Sequence, residues 1–126
     1  MRKEIFSQNV PQPVGPYSQG VEANGFVFLS AQLGLHPENR EMVSGGVAEQ
    51  TKQAMENLKA VLLEAGLNFS NVVRTDIFLK NIEDFETVNN IYKTYFTESP
   101  MPARQTIGVA NLPKNGLIEI SCIAAK

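Results

Sequence analysis

The sequence predicts an α+β chain, one mixed β-sheet with two helices packed on one of its faces. Three observations carry this expectation. Asn24-Gly25 separates two strand-like runs, and that dipeptide suits a type I′ hairpin turn. Apolar residues between Val47 and Ala65 recur at helical spacing. The stretch from Ala103 to Ala125 reads as two strands joined through Leu112-Pro113-Lys114-Asn115-Gly116.

In chain order, the first hairpin has a second arm, Phe26 to Leu29, that is continuously apolar and is expected deep in the sheet. The first helix sets Val47, Met55, Leu58, Val61, Leu62 and Ala65 against Glu49, Lys52, Glu56 and Lys59, and Gly66 supplies its stop. A β-rich run follows, with Val73, Thr75, Ile77 and Leu79 alternating. The second helix is expected to start at an Asn81 cap, with Glu83 and Asp84 in its first turn. Its apolar stripe is Phe85, Val88, Ile91, Tyr92 and Tyr95, and Pro100 and Pro102 end it. The order is β-β-α-β-α-β-β. The sheet face without helices must meet something, and apolar side chains there invite self-association.

A length of 126 residues suits a single domain over 1–126 with one core. A net charge of -2 speaks against a general nucleic-acid binder. Cys122 is the only cysteine and His36 the only histidine, so no internal disulfide and no Cys/His metal set is expected. The start, MRKEIFSQNVPQPVG, has no apolar stretch of a signal peptide, and no run is long enough to span a membrane. A cytoplasmic protein is the expectation. The chain has no Gly-rich phosphate loop and no nucleophile beside a histidine, so acyl-enzyme, kinase and metallohydrolase chemistry lack support.

A guanidinium at Arg104 stands out in a strand of small and apolar residues. If the last two strands form a hairpin with Ala110 opposite Leu117, alternation puts Arg104, Thr106, Gly108, Leu117, Glu119, Ser121 and Ile123 on one face. Ile107, Val109, Ile118, Ile120 and Cys122 take the other and pack on the helices. Arg104 then faces Ile123, roughly 13 Å along the sheet from Glu119 at about 3.3 Å per residue. The two would not pair within one chain, but a second subunit packed on the bare face would bring them together. Arginine matches a carboxylate with a planar fork of donors, and glutamate can hold or deprotonate a water. Such a pocket suits a small carboxylate with an electrophilic carbon beside it.

Plainer readings stand beside these. An outward strand arginine or glutamate is most often solvated or at an interface. Tyr17, in the turn GPYSQG, could merely cover the sheet, and Ser30 could be a strand-end hydroxyl bonded to backbone. One of Asn89 and Asn90 reads as polar surface, Cys122 as core and His36 as exposed loop.

The segments GPYSQG, FLSAQLGLHPENREMVSGGVAEQTKQAMENLKAVLLEAG, VVRTDIFLKNIEDFETVNNIY and PARQTIGVANLPKNGLIEISCIA resemble, in order and spacing, the reactive intermediate/imine deaminase family, known as RidA or YjgF. The resemblance covers essentially the whole chain, and its most specific parts are GPYS and the terminal PAR-to-EI block. It implies a chorismate-mutase-like mixed sheet of about six strands and a homotrimer with pockets between subunits. It implies hydrolysis of 2-imino acids (2-iminobutanoate, 2-iminopropanoate) or their enamine tautomers to 2-keto acids and ammonia, without metal or organic cofactor. These imines are released by pyridoxal-phosphate enzymes such as threonine dehydratase. Residue by residue, it implies that Arg104 binds the substrate carboxylate, Glu119 positions water and Tyr17 lines the pocket. Ser30, Asn89 and Thr106 add substrate contacts. Ala31, in SAQ, departs from the family's usual Gly and is expected to narrow the pocket; Gln105 replaces a commoner small hydroxyl residue. The competing expectations are a non-catalytic binder of small carboxylates, a sensor or scavenger, and, with less support, a ribonuclease or translation inhibitor.

Overall fold

In the computed structural model, which describes residues 1–126, all six strands belong to one sheet. The strands are β1 (Lys3–Ile5), β2 (Gly20–Ala23), β3 (Phe26–Leu33), β4 (Val72–Leu79), β5 (Ala103–Gly108) and β6 (Ile118–Ala125), and the long helices are α1 (Val47–Glu64) and α2 (Phe85–Tyr92). Across the sheet the order is β1-β2-β3-β6-β4-β5. Every pairing is antiparallel except β4 with β5.

Local chemistry explains the boundaries. Asn24 and Gly25 have φ of 52° and 82°, as a type I′ turn requires, and join β2 to β3. Gly66, at φ 76°, ends α1. Its N–H donates to Leu63 O at 2.9 Å and that of Leu67 to Leu62 O at 2.8 Å, which is a Schellman closure. Leu67 is buried in the same core as Leu62. Asn81 does not cap a long helix as expected: it precedes a single 3-10 turn, Ile82–Asp84, without a side-chain capping bond, and α2 begins after that turn.

One cluster of twenty buried apolar residues joins the sheet to both helices. Val27 and Leu29, Ile77 and Leu79, and Ile118, Ile120 and Cys122 present one sheet face to Met55, Leu58, Val61 and Leu62 of α1 and Val88 and Tyr92 of α2. Polar clips fix the junctions. Asn57 Nδ2 donates to the carbonyls of Leu33 and Leu35 at 3.2 and 3.0 Å. Gln50 Oε1 accepts the Leu117 N–H at 2.8 Å. The buried Gln19 amide exchanges two bonds, of 2.7 and 3.0 Å, with the Ser7 backbone. The helical pattern did not mark Gln50, Thr51 and Asn57 as interior residues, since they are polar side chains whose groups are satisfied by backbone N–H or C=O partners.

The structure corrects the expected terminal hairpin. β5 and β6 are not neighbours, because β6 runs between β3 and β4. Instead β4, α2 and β5 form a parallel pair with a helical crossover. The connection from β5 to β6 steps across the end of β4, where Val109 N–H donates to Leu79 O at 2.8 Å and Lys80 N–H to Leu117 O at 3.0 Å. The face assignments of β5 therefore invert. Arg104 pairs with Thr75 and Thr106 with Ile77, both buried core residues, so Arg104, Thr106 and Gly108 lie on the helix-bearing side. Ile107 pairs with Phe78, as does Glu119, and lies on the bare side. The assignments within β6 hold, with Ile118, Ile120 and Cys122 inward and Glu119, Ser121 and Ile123 outward.

Two bulges explain smaller differences. In β4 the register shifts between Val72 and Arg74, so Val72 takes the core position and Val73 is exposed. In β3 it shifts between Leu29 and Gln32, at Ser30-Ala31. Phe26 and Phe28 are not deep: they alternate outward and are 43% and 45% exposed on the bare face. His36 is half-buried rather than exposed.

Two outcomes follow from this packing. A Cβ on Gly34 would sit 2.6 Å from Gln50 Cα and 2.7 Å from Gln50 O, backbone that cannot yield cheaply. Gly34→Ala should therefore cost about 1–3 kcal/mol in urea unfolding. Burial pushes the Cys122 thiol up to about 12. It should resist an aromatic disulfide reagent at pH 8 in the native protein and react fully once the protein is denatured.

Candidate functional site

The sequence-predicted residues fall into two groups within the chain. The first surrounds a cleft of about 510 Å³ whose lining includes Tyr17, Ala31 and Glu119. The turn that carries Tyr17 is anchored from behind: Ser30 Oγ donates to Ser18 O at 2.6 Å, and Ser30 N–H to Gln19 O at 2.9 Å. Ser30 thus does what a strand-end hydroxyl does, and the bulge at Ser30-Ala31 turns Ala31 into the cleft wall. Glu119 is half-buried on the outward side of β6, between Leu33 and Phe78 of the adjacent strands. Burial pushes its carboxyl above the usual 4.5.

The second group surrounds Arg104. Its guanidinium lies over the rings of Tyr92 and Phe85, 5.0 and 5.5 Å from their centroids. Nη1 donates to Asn89 Oδ1 at 2.7 Å. Phe85, Asn89 and Tyr92 stand at i, i+4 and i+7 on α2, so one helix face supplies both the stacking surface and the acceptor. Tyr92 is held in turn by a 2.8 Å bond with Thr75 Oγ1. Burial raises the Tyr92 hydroxyl's pKa, opposed by the Thr75 bond and the Arg104 charge. Asn89 occupies one of the guanidinium's five donors, and Arg104 is exposed. Thr106, two residues on and on the same side, has a buried Oγ1 with no hydrogen-bond partner.

The two groups do not meet within the chain. β4 separates β5 from β6, which places them about 10 Å apart across the sheet. Arg104 also lies on the helix side and Glu119 on the bare side. No group of three or more His, Cys, Asp or Glu side chains could hold a metal ion. No helix is long and apolar enough to cross a membrane.

Sequence reasoning missed four residues near these groups. Phe85 and Tyr92 were legible as an apolar stripe but not as the shelf under Arg104, because that needs β5 beside β4. Arg40 and Lys114 also line the cleft. They sit in loops, and nothing in their spacing predicts convergence with Glu119.

Comparison with known proteins agrees with this architecture. The family model described as Endoribonuclease L-PSP matches residues 7–126. A human protein named 2-iminobutanoate/2-iminopropanoate deaminase is 46% identical over 98% of this chain and 90% of its own length. A Yersinia pestis structure described as a protein of the conserved Rid family superposes with a TM-score of 0.97 at 39% identity, covering all of both chains. The E. coli TdcF structure with bound serine gives 0.91 at 36% identity, over 98% of each chain. With six strands in one mixed sheet, two helices on one face and relatives of this identity over its whole length, the chain belongs to the Endoribonuclease L-PSP family, the RidA/YjgF family that its sequence resembles.

Proposed function

We propose that this protein hydrolyses reactive 2-imino acids such as 2-iminobutanoate and 2-iminopropanoate, or their enamine tautomers, to 2-keto acids and ammonia. The observation that carries this reading is the division of the site. A guanidinium is stacked and oriented on one side of the sheet, while a carboxylate with a raised pKa lies in a cleft on the other. A second copy that lays its β5 edge, where Arg104 is exposed, against the bare face with its Phe26, Phe28 and Ile107 brings its Arg104 to the Glu119 cleft of the first. The proposed assembly is a closed ring in which each cleft is completed once, the homotrimer that the family resemblance implies. The deaminase name carried by the human relative supports the activity.

In the proposed mechanism Arg104 binds the substrate carboxylate with the donors that Asn89 leaves free. Thr106, two residues on in the same edge strand, adds backbone contacts beside it. Tyr17 and Ala31 form the wall along which the imine lies. Glu119 accepts a proton from water as the oxygen attacks the imine carbon and passes it to the imine nitrogen, giving the neutral carbinolamine. Glu119 then takes the proton of the carbinolamine hydroxyl and delivers it to the amine as the C–N bond breaks and the C=O bond forms. Ammonia and the 2-keto acid leave, and the carboxylate is regenerated. A carboxyl pKa raised by burial makes Glu119 a better base than a solvated glutamate.

Serine bound to TdcF favours a second reading, a cleft that retains small carboxylates without turnover. Release of ammonia separates the two. The test couples the protein to a threonine dehydratase and follows 2-keto acid release. Acceleration over solution hydrolysis is expected, and its absence with pure protein would refute the deaminase reading. Arg104→Ala should lower kcat/KM by on the order of a hundredfold or more, through loss of a bidentate ion pair. Arg104→Lys should recover only part, since it keeps the charge but not the fork. RNA cleavage that survives Arg104→Ala would revive a ribonuclease reading.

Glu119 also predicts a pH effect on stability. Its pKa is higher folded than unfolded, so the folded state binds the proton more tightly and ionisation penalises folding. The penalty is absent well below 4.5 and grows as pH rises through the unfolded and then the folded value. Glu119→Gln should raise the Tm at pH 7, and the gain should vanish near pH 3.

A further inference from the structure

Beside apolar residues such as Leu33 and Leu35, the cleft at Glu119 is lined by two cations, Arg40 and Lys114, with Glu119 as its one carboxylate. Four non-glycine residues in the chain have positive φ: Asn24, Arg40, Lys114 and Asn115. Asparagine tolerates that region, and a long side chain does so only at a cost. The two that carry such a cost, Arg40 at φ 61° and Lys114 at φ 56°, are the two cations of the cleft. Backbone strain of this kind concentrates where a side chain is needed in one place.

Both side chains are held. Arg40 Nη1 donates to the Gln12 carbonyl, and Gln12 Nε2 is fixed to Ser7 O and Val10 O at 3.2 and 2.9 Å. Lys114 Nζ donates to the Arg40 carbonyl at 3.0 Å. Neither cation is neutralised by an acidic partner, since the ion pairs of the chain are Lys52–Glu49, Arg74–Asp76 and Lys126–Glu22.

We propose that Arg40 and Lys114 recognise a second carboxylate, so that the cleft takes 2-imino acids with an acidic side chain, as formed from dicarboxylic amino acids, besides short neutral ones. This rests on the deaminase reading: Arg104 of a neighbouring subunit holds the α-carboxylate, Glu119 serves the imine carbon, and the distal carboxylate reaches the basic end.

The test compares kcat/KM for 2-iminosuccinate, generated by an aspartate oxidase, with that for 2-iminopropanoate. The wild type should turn over both. Arg40→Gly and Lys114→Gly relieve the backbone and so should fold, and each should lower the acidic-to-neutral ratio about tenfold or more. Arg40→Asn, equally tolerant of positive φ but uncharged, should behave as Arg40→Gly does. An unchanged ratio in both glycine variants, or a wild type inactive on the acidic imine alone, would overturn the proposal. Inactivity on both imines would instead refute the deaminase reading. Calorimetric titration with 2-oxoglutarate and 2-oxobutanoate then decides the subsite by itself. Tighter 2-oxoglutarate binding that is lost in Arg40→Gly supports it. Equal binding, or a preference for inorganic phosphate, overturns it.

Discussion

The antiparallel ladders that hold β6 between β3 and β4 are the constraint on which the rest depends. They bring the end of the chain into the centre of the sheet, where Ile118, Ile120, Cys122 and Ala124 are buried against the helices. Because β3 and β4 both run antiparallel to β6, they run parallel to each other, and α1 is their crossover. β5 is then displaced to the edge, with α2 as the crossover from β4. Both helices consequently fall on one face, and the opposite face is left bare. The same ladders put Glu119 and Arg104 on different sides of the sheet, so the strand order alone divides the chemistry between two surfaces.

The polar interior supports this arrangement. Gln19 acts as a surrogate strand partner for Ser7 and ties the N-terminal strap beneath the turn that carries Tyr17. Gln50 holds the first turn of α1 to the start of β6, and Asn57 holds its middle to the end of β3. Each is a buried amide whose donors or acceptors meet backbone groups in loops or at the ends of strands. Gly34 allows the two backbones to touch where these clips act. The walls of the cleft are therefore set by packing and hydrogen bonds that lie outside it.

What the sequence revealed follows from the range of the interactions involved. Asn24-Gly25, the α1 stripe with its Gly66 stop and the alternation of β6 are local patterns, and each matches the structure. The terminal hairpin does not, because adjacency in sequence favours pairing β5 with β6, while the real ladder joins β6 to residues far back in the chain. A helix between β4 and β5 was the available sign of a parallel pair. The error reached the site: it placed Arg104 with Glu119 on one face and hid the shelf of Phe85 and Tyr92. The alternation of β4 failed at Val73 for a smaller reason, since one bulged residue reverses the facing of what precedes it. Arg40 and Lys114 could not be found from sequence, because their convergence depends on loop conformations that side-chain periodicity does not report.

β5 is an outermost strand, so one row of its backbone groups has no neighbour within the chain. Such a margin is a template for accretion by foreign strands. Arg104 is the second residue of that six-residue margin, and Lys3 lies on the three-residue strand at the opposite margin. A cation on each border makes edge-on stacking of sheets costly. Arg104 would then carry a second duty, as a guard against fibrous growth, and a variant that lost it would become more prone to insoluble assembly even where its fold was unchanged.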